Sequence, residues 1–324
     1  MLGQRLLFSF LGKEKPSPEL VDAFNRYRPA GVTLFRGMNL GTPAQIRSLT
    51  AALQMLARQL EMPLLLIGAD QEGGQLMAVG DGTPLPGNMA IGATCSTDLA
   101  HQAGVVLGRE LASLGINVNY APCADVNINP YNPVVGVRSF GEDPRLVSDL
   151  SAAMIRGIQS QGVAATAKHF PGHGDTSSDS HHGLAQIPHS LERLRAVELQ
   201  PFMAAMQADV RLMMTAHIGI PAIDGPDAPP ATLSEKVING LLRQELGYEG
   251  VVISDAMDMK AIGQGAQLGA NALRSLKAGV DLLLVGADTQ DQGRIHETLL
   301  NARQSGALTD PEMQASLARI SHLK

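Results

Sequence analysis

Cysteine is scarce in this chain, since Cys95 and Cys123 are the only two in 324 residues. They form neither a CxxC pair nor the spacing of a structural zinc site. A chain of this size with two thiols is typical of a reduced, intracellular protein. The sequence therefore excludes a disulfide scaffold and favours a cytoplasmic location.

The sequence also lacks a strong charge bias and a long apolar run. The 25 basic and 31 acidic residues give a net charge of −6 without any basic stripe, so we expect no nucleic-acid partner. Runs such as Leu6–Leu11 are far shorter than the roughly 20 residues of a membrane span. Residues 1–11 are followed by Gly12 and three charged residues rather than a cleavage site, so they do not resemble a signal peptide.

What the chain does have is a regular alternation of apolar runs and amphipathic stretches. Short runs of this kind, bounded by glycine or polar residues, are typical of strands buried on both faces of a parallel sheet. Helix starts with Ser, Thr, Asp or Pro separate most of them. The predicted strands are 5–10, 32–35, 64–68, 116–120, 163–168, 212–216, 251–255 and 281–285; the predicted helices are 43–60, 98–114, 145–161, 191–208 and 235–246.

Eight such units predict a (β/α)8 barrel of the TIM type. The alternative is an open doubly wound sheet, but the first strand is not followed by the glycine-rich loop that usually marks that fold. Since no linker or low-complexity tract divides the chain, we expect a single catalytic barrel domain over residues 1–324.

Polar residues collect after the predicted strands, where barrel enzymes carry their chemistry. The richest segment is Lys168–Gly183, which holds four of the nine histidines and is too rich in Gly and Pro for a helix. A long loop of this kind is normally functional. The rim residues are Asp70, Glu72, Asp125, Arg138, Lys168, His169, His173, Asp175, Asp179, His181, His182, His217, Asp255 and Asp258.

Several of these residues have a structural interpretation as well as a functional one. Aspartate often caps the N-terminus of a helix, so Asp255 could have that structural role. The Gly residues after Asp70 and Glu72 could indicate a tight turn and nothing more. Lys168 and His169 could pair with each other in the barrel mouth. Asp281 precedes its strand and therefore lies on the opposite rim, where we expect a structural role.

Four motifs, in order along the chain, resemble the β-N-acetylglucosaminidase (β-N-acetylhexosaminidase) branch of glycoside hydrolase family 3. They are DQEGG at 70–74, VRSFG at 137–141, KHFPGHG at 168–174 with DSH at 179–181, and ISDAM at 253–257. The resemblance covers essentially the whole chain and implies the same barrel fold. It further implies removal of a terminal β-linked N-acetylglucosamine, as in the recycling of cell-wall fragments, with no cofactor and no catalytic metal.

The resemblance also implies a role for individual residues. Asp255 corresponds to the nucleophile, His181 to the general acid/base and Asp179 to the partner of that histidine. The residues corresponding to the sugar-binding set are Asp70, Arg138, Lys168 and His169. Two family arginines are replaced, by Gln75 and by Ala78, and the second replacement implies the loss of a sugar contact.

The sequence leaves several alternatives open. A neutral histidine acid would tolerate phosphate, so phosphorolysis of the same glycoside is one of them, and a β-glucosidase or β-xylosidase of the same family is another. A metal-dependent barrel hydrolase could use His169, His173, Asp175, His181 and His182 as ligands. A barrel that binds sugar without catalysis is consistent with Ala78. Because aromatic residues are few, a small carbohydrate substrate and an exo mode of action are favoured. We also expect the protein to be a monomer.

Overall fold

The computed structural model describes residues 2–177, 183–263 and 265–324. Eight parallel strands close into a barrel in which neighbours in sequence are neighbours in space, and the first strand pairs with the last. The predicted (β/α)8 fold is therefore confirmed. The strands are β1 (Leu6–Phe8), β2 (Gly31–Thr33), β3 (Leu66–Ala69), β4 (Val118–Asn119), β5 (Ala164–Phe170), β6 (Leu212–Thr215), β7 (Val251–Ala256) and β8 (Leu282–Val285).

Helices surround the barrel and begin where the sequence has a capping residue. Thr42, Ser96 and Asp143 each accept a hydrogen bond from a first-turn amide, which satisfies a donor that has no partner inside the helix. The helices are α1 (Pro18–Tyr27), α2 (Pro43–Gln59), α3 (Asn88–Gly92), α4 (Thr97–Ser113), α5 (Pro144–Gln159), α6 (Leu191–Ala196), α7 (Gln200–Gln207), α8 (Pro221–Asp224), α9 (Gln267–Ala278), α10 (Thr289–Gln304) and α11 (Asp310–Leu323), with a π-helix at Lys236–Glu245.

The single helix predicted over 191–208 is wrong, because the chain breaks between α6 and α7. Pro201 lies in the first turn of α7, where its missing N–H leaves no helical hydrogen bond unmade. In the interior of one continuous helix, the same proline would remove a hydrogen bond and interrupt the helix. At the break, the buried Glu198 accepts two hydrogen bonds from Arg193. This ion pair holds the two helices at their junction.

Strand β5 extends two residues beyond the predicted end at residue 168. Lys168, the last residue of the predicted strand, and His169, which we expected in the loop, both lie within the strand and are buried. The pairing of β5 with β6 shifts register between Ala167 and Phe170. Lys168 and His169 thus lie at the irregular end of the strand and line the cavity at the barrel mouth.

Asp281 lies at the amino-terminal rim, as expected, and organises a buried charged cluster there. Its carboxylate accepts hydrogen bonds from Arg243, Arg319, Ser316 and the amide of Val252. These bonds tie the π-helix and α11 to the barrel. The arrangement supports a structural role for Asp281.

The two cysteines are free thiols, with Cys95 exposed and Cys123 buried. Over the residues that the structure describes, no helix is both long and apolar enough to cross a membrane.

Candidate active site

A cavity of about 530 Å³ opens at the carboxyl ends of the strands. This volume lies in the range of about 300–1000 Å³ that is typical of small-molecule sites. Five of the seven residues predicted for the site line this one cavity, although the chain segments that carry them are far apart in sequence. These residues are Asp70, Arg138, Lys168, His169 and Asp255.

Each of these side chains is placed by an element of the barrel. Asp70 follows β3 directly, Lys168 and His169 lie near the end of β5, and Asp255 lies near the end of β7. Arg138 is the last residue of a short 3-10 helix, and its backbone carbonyl accepts a hydrogen bond from the side chain of Asn88 in α3. The parallel strands therefore bring the residues to one rim.

Lys168 and Arg138 share a buried carboxylate, that of Glu72. The Lys168 Nζ lies 2.6 Å from a Glu72 carboxylate oxygen and 2.6 Å from Asp70 Oδ1. Arg138 donates two hydrogen bonds to Glu72, of 2.7 and 2.9 Å, in a fork that fixes the guanidinium plane. The suggestion that Lys168 pairs with His169 is wrong, because acidic side chains from the loop after β3 hold the lysine.

Electrostatics keep this network ionised. Burial alone would raise the pKa of Glu72, but the charges of Lys168 and Arg138 outweigh it and lower the pKa to about 2. Burial would conversely lower the pKa of Lys168, and the carboxylates of Asp70 and Glu72 raise it instead. The lysine is therefore a charged donor facing the cavity at neutral pH.

Asp125, which follows β4, is a fully buried anchor for His169. Its carboxylate accepts hydrogen bonds from the amides of His169 and His173, from the Cys123 thiol and, at 2.7 Å, from His169 Nδ1. Burial would raise the pKa of Asp125, but the imidazoles of His169 and His173 hold it well below its usual range. Since an ionised carboxylate can only accept, Nδ1 of His169 carries the proton and Nε2 is left for the cavity.

Asp255 is a partly buried carboxylate at the end of β7. One of its oxygens accepts a hydrogen bond of 2.8 Å from the Ala256 amide. Burial would raise its pKa, but the imidazoles of His217 and His169 and the Ala256 amide outweigh that effect, so the pKa is lowered. The next helical residues are Lys260–Ile262, whose cap position is Met259. The interpretation of Asp255 as a helix cap is therefore wrong.

His173 lies beside His169 and faces the same cavity. Its Nδ1 is 2.8 Å from the Thr176 hydroxyl, and burial lowers the pKa of its imidazole. The rings of His169 and His173 meet edge to face with centroids 6.0 Å apart. His173 therefore packs against His169 in the wall of the cavity.

The predicted acid/base His181 and its partner Asp179 lie outside the described residues, as does His182. Their roles remain predictions from the sequence. The described part of the same segment ends at Ser177 and resumes at Gly183.

The described donors of the metal alternative do not gather in one place. Within the described ranges, His169 groups with Cys123 and Asp125, whereas Asp175 groups with His189 and Glu198. Of the five ligands named for that alternative, His169 and Asp175 therefore lie in different clusters, and His181 and His182 lie outside the described residues. In the first cluster Asp125 already accepts four protein donors, and in the second Asp175 pairs with His189 at 2.6 Å while Glu198 pairs with Arg193.

Ala78 and Gln75 both line the cavity, so the two departures from the family pattern fall on its wall. Arg36, from the loop after β2, lines the same cavity. The wall of the cavity therefore includes residues beyond the predicted sugar-binding set.

Two supporting residues, Glu72 and Asp125, were recognised on the rim but were given no role from the sequence. His173 and His217 were likewise only members of the rim set. The usable signal is their position after β3, β4, β5 and β6, because a polar side chain at the carboxyl end of a barrel strand is a candidate for the site. Their partners could be found only in three dimensions.

A closed (β/α)8 barrel with charged side chains around one cavity at the carboxyl ends of its strands is the arrangement of a barrel enzyme. Comparison with known proteins identifies the family. The model of the glycosyl hydrolase family 3 N-terminal domain matches residues 3–323. The chain belongs to this family. The resemblance stated from the sequence is thereby confirmed.

Individual relatives agree with this assignment. β-Hexosaminidase A of Pseudoalteromonas piscicida is 38% identical, with 100% of this chain and 60% of that protein covered. A family 3 β-N-acetylglucosaminidase structure from Paenibacillus sp. has 44% identity and a TM-score of 0.97, over 100% of this chain and 61% of that one. A β-N-acetylhexosaminidase structure from Beutenbergia cavernae has 25% identity and a TM-score of 0.89, over 99% and 98%. The chain thus spans about 60% of the first two relatives.

Proposed function

We propose that this chain is a retaining exo-β-N-acetylglucosaminidase acting on small glycosides such as cell-wall muropeptide fragments in the cytoplasm. Asp255 is the nucleophile, and His181 with its partner Asp179 is the general acid/base. The observation that carries the proposal is an ionised carboxylate, Asp255, on the wall of a sugar-sized cavity. The names of the relatives support the N-acetylhexosamine specificity.

The sugar is held by the fixed charges opposite Asp255. Lys168 and Arg138 are oriented donors for hydroxyl or acetamido oxygens, Asp70 is an acceptor for hydroxyl groups, and His169 presents Nε2. Because Glu72 and Asp125 hold these donors before the sugar arrives, little ordering is required on binding.

In the first chemical step, an Asp255 oxygen attacks the anomeric carbon and forms an ester bond to the sugar. The bond to the leaving oxygen breaks at the same time, and the proton from His181 passes to that oxygen. In the second step water attacks the anomeric carbon, His181 takes the water proton back, and the ester bond breaks. Two inversions retain the β configuration.

The lowered pKa of Asp255 suits this role, because the carboxylate is ionised and ready to attack at neutral pH. The ordinary pKa of a histidine is about 6.5, and a nearby carboxylate raises that pKa. A histidine acid can therefore be protonated near neutral pH. The two groups then have opposite protonation states at the same pH, as the reaction requires.

The test compares nitrophenyl β-N-acetylglucosaminide, β-glucoside and β-xyloside, each with and without inorganic phosphate. We expect the β-N-acetylglucosaminide to be hydrolysed with the highest kcat/KM and free N-acetylglucosamine to be the product in both buffers. A sugar phosphate as the main product would show phosphorolysis, and a clear preference for the β-glucoside would refute the N-acetyl specificity.

The Asp255→Ala variant is the matching mutational test, and it should lose turnover on every substrate of the panel. Near-wild-type activity in that variant would remove the proposed nucleophile. Retained binding of N-acetylglucosamine with no turnover by the wild type would instead favour the non-catalytic sugar-binding barrel.

A further inference from the structure

His217 lies directly behind the proposed nucleophile and is completely buried. Its Nε2 is 3.0 Å from the carbonyl oxygen of Ala256, and its Nδ1 is 2.8 Å from the hydroxyl of Thr232. A carbonyl oxygen can only accept, so Nε2 carries a proton and donates it to Ala256. The imidazole therefore binds the residue that follows Asp255.

The other side of the ring is fixed by a chain of buried hydroxyl groups. Thr232, in the short 3-10 helix Ala231–Leu233, lies 2.8 Å from the hydroxyl of Thr215 at the end of β6. Its hydroxyl also lies 3.1 Å from the Ala216 carbonyl oxygen. The ring of His217 is thus held in one orientation by β6 and by the Ala231–Leu233 helix.

Ala256 is held from both sides by this arrangement. Its carbonyl oxygen accepts the hydrogen bond from His217, and its amide donates one of 2.8 Å to Oδ1 of Asp255. Fixing the carbonyl fixes the orientation of residue 256, and the amide then keeps Oδ1 in place. Among the residues that the structure describes, only Oδ1 accepts a hydrogen bond, so we assign the attack to Oδ2.

The barrel ladder supports this end of β7 from one side only. On the β8 side Ala256 pairs with Leu284 after a shift of register, and the Met257 amide donates to the Leu284 carbonyl oxygen. On the β6 side, backbone pairing ends at Thr215 and Ser254. The nucleophile therefore lies in the irregular end of its strand. The His217 side chain continues the connection from β6 to β7 by two residues beyond the last backbone pair.

We propose that His217 is a positioning residue that holds Ala256 and thereby fixes the attacking oxygen of Asp255, an inference that rests on the proposed function of Asp255. It touches neither sugar nor reacting atoms in this role. A displacement of about 1 Å at a reacting group can cost on the order of 10²-fold in rate. Loss of the support from the β6 side should therefore affect the rate of attack far more than the binding of the sugar.

The test uses the full chain and two substitutions at position 217. His217→Leu removes the donor, and His217→Gln keeps an N–H that can reach the Ala256 carbonyl. We expect His217→Leu to lower kcat on nitrophenyl β-N-acetylglucosaminide by about 10²-fold, with the inhibition constant of N-acetylglucosamine changed by less than about threefold. His217→Gln should recover at least tenfold of the lost rate.

The matched control is His296→Leu, which removes a half-buried imidazole that packs on Tyr27 far from the cavity. It should keep wild-type kinetics. Thr232→Val provides a second test that does not touch the imidazole, because it removes only the hydroxyl that orients Nδ1. We expect a loss of about tenfold in kcat for Thr232→Val, and this variant decides the question if His217→Leu does not fold by circular dichroism.

A labelling rate separates this inference from the proposed function. A 5-fluoro N-acetylglucosaminyl fluoride should label Asp255 in the wild type, and His217→Leu should slow the labelling by about the same factor as kcat. Label on another residue in the wild type would refute the role of Asp255. Label on Asp255 at the wild-type rate in His217→Leu, or equal losses of rate and N-acetylglucosamine binding, would refute the positioning role alone.

Discussion

Replacing Glu72 by glutamine should destabilise the fold strongly, although the two side chains have nearly the same shape. In the wild type, the carboxylate of Glu72 balances the buried charges of Lys168 and Arg138. Glu72→Gln keeps an oxygen acceptor but removes that negative charge. Lys168 then keeps its ion pair with Asp70, which is partly exposed, whereas Arg138 loses its ion pair with Glu72.

The magnitude follows from the depressed pKa of Glu72, which lies at about 2 instead of 4.5. Since one pKa unit corresponds to about 1.4 kcal/mol, the ionised form is stabilised by about 3 kcal/mol in the folded state. The side chain is 2% exposed, so solvent screens the effect little. Breaking a buried pair from one side typically costs about 3–5 kcal/mol, which agrees. We therefore expect a loss of about 3 kcal/mol in the free energy of unfolding at pH 7.

The pH dependence has a definite sign. A lowered pKa means that the stabilisation is fully present above the ordinary value near 4.5 and is lost as the pH falls through about 2. The difference between wild type and Glu72→Gln should therefore be constant from pH 7 to pH 5 and should shrink as the pH falls below about 4.5.

The assay is urea unfolding followed by far-ultraviolet circular dichroism, since the chain has no tryptophan to report by fluorescence. The control is Glu245→Gln, which breaks an exposed ion pair of 2.8 Å with Arg195 and should cost no more than about 1 kcal/mol. Equal losses in the two variants, or a gap for Glu72→Gln that does not change with pH, would refute the reasoning.

Two further predictions concern the two ends of the barrel. Asp125→Asn should lower kcat about 10-fold to 100-fold, because an amide no longer fixes the proton of His169 on Nδ1. Steady-state kinetics on nitrophenyl β-N-acetylglucosaminide test this prediction, and an unchanged kcat would contradict it. Asp281→Ala should lower the free energy of unfolding by about 3–5 kcal/mol, because Arg243 and Arg319 lose their buried partner, while the inhibition constant of N-acetylglucosamine stays the same. Urea unfolding and an inhibition assay test the prediction for Asp281→Ala. A large change in the inhibition constant of N-acetylglucosamine would show that Asp281 affects the active site and would contradict a purely structural role.

The barrel was predictable from the sequence because its signal is local. Strands buried on both faces appear as continuous apolar runs, and helix starts carry their own capping residues, so eight units can be counted without knowing any contact. The broken helix after Ser190 was also visible in principle, since Pro201 marks the first turn of α7. Capping residues and prolines therefore contain more information about where helices begin and end than we used for the predicted ranges.

The extension of β5 was not predictable in the same way. The predicted strand ends at Lys168 because polar residues follow the apolar run, yet His169 also lies in the strand and both side chains are buried. Their burial is possible only because Asp70, 98 residues away from Lys168, and Asp125, 44 residues away from His169, supply countercharges. Such long-range pairing has no local signature.

The candidate site shows the same division. Motifs located the residues of the rim, and the barrel geometry brought five of them to one cavity. The sequence could not show that Glu72 and Asp125 hold those residues, or that His217 supports Ala256, because each of these contacts joins different strands. Motifs thus indicated which residues matter, and only the structure shows how they are held.

The most direct test of the central claim is the location of the sugar in a trapped intermediate. The enzyme is inactivated with a 5-fluoro N-acetylglucosaminyl fluoride and digested, and the modified peptide is sequenced by mass spectrometry. The account predicts an ester on Asp255, in the peptide that contains the end of β7. A stoichiometric label on any other side chain would contradict it.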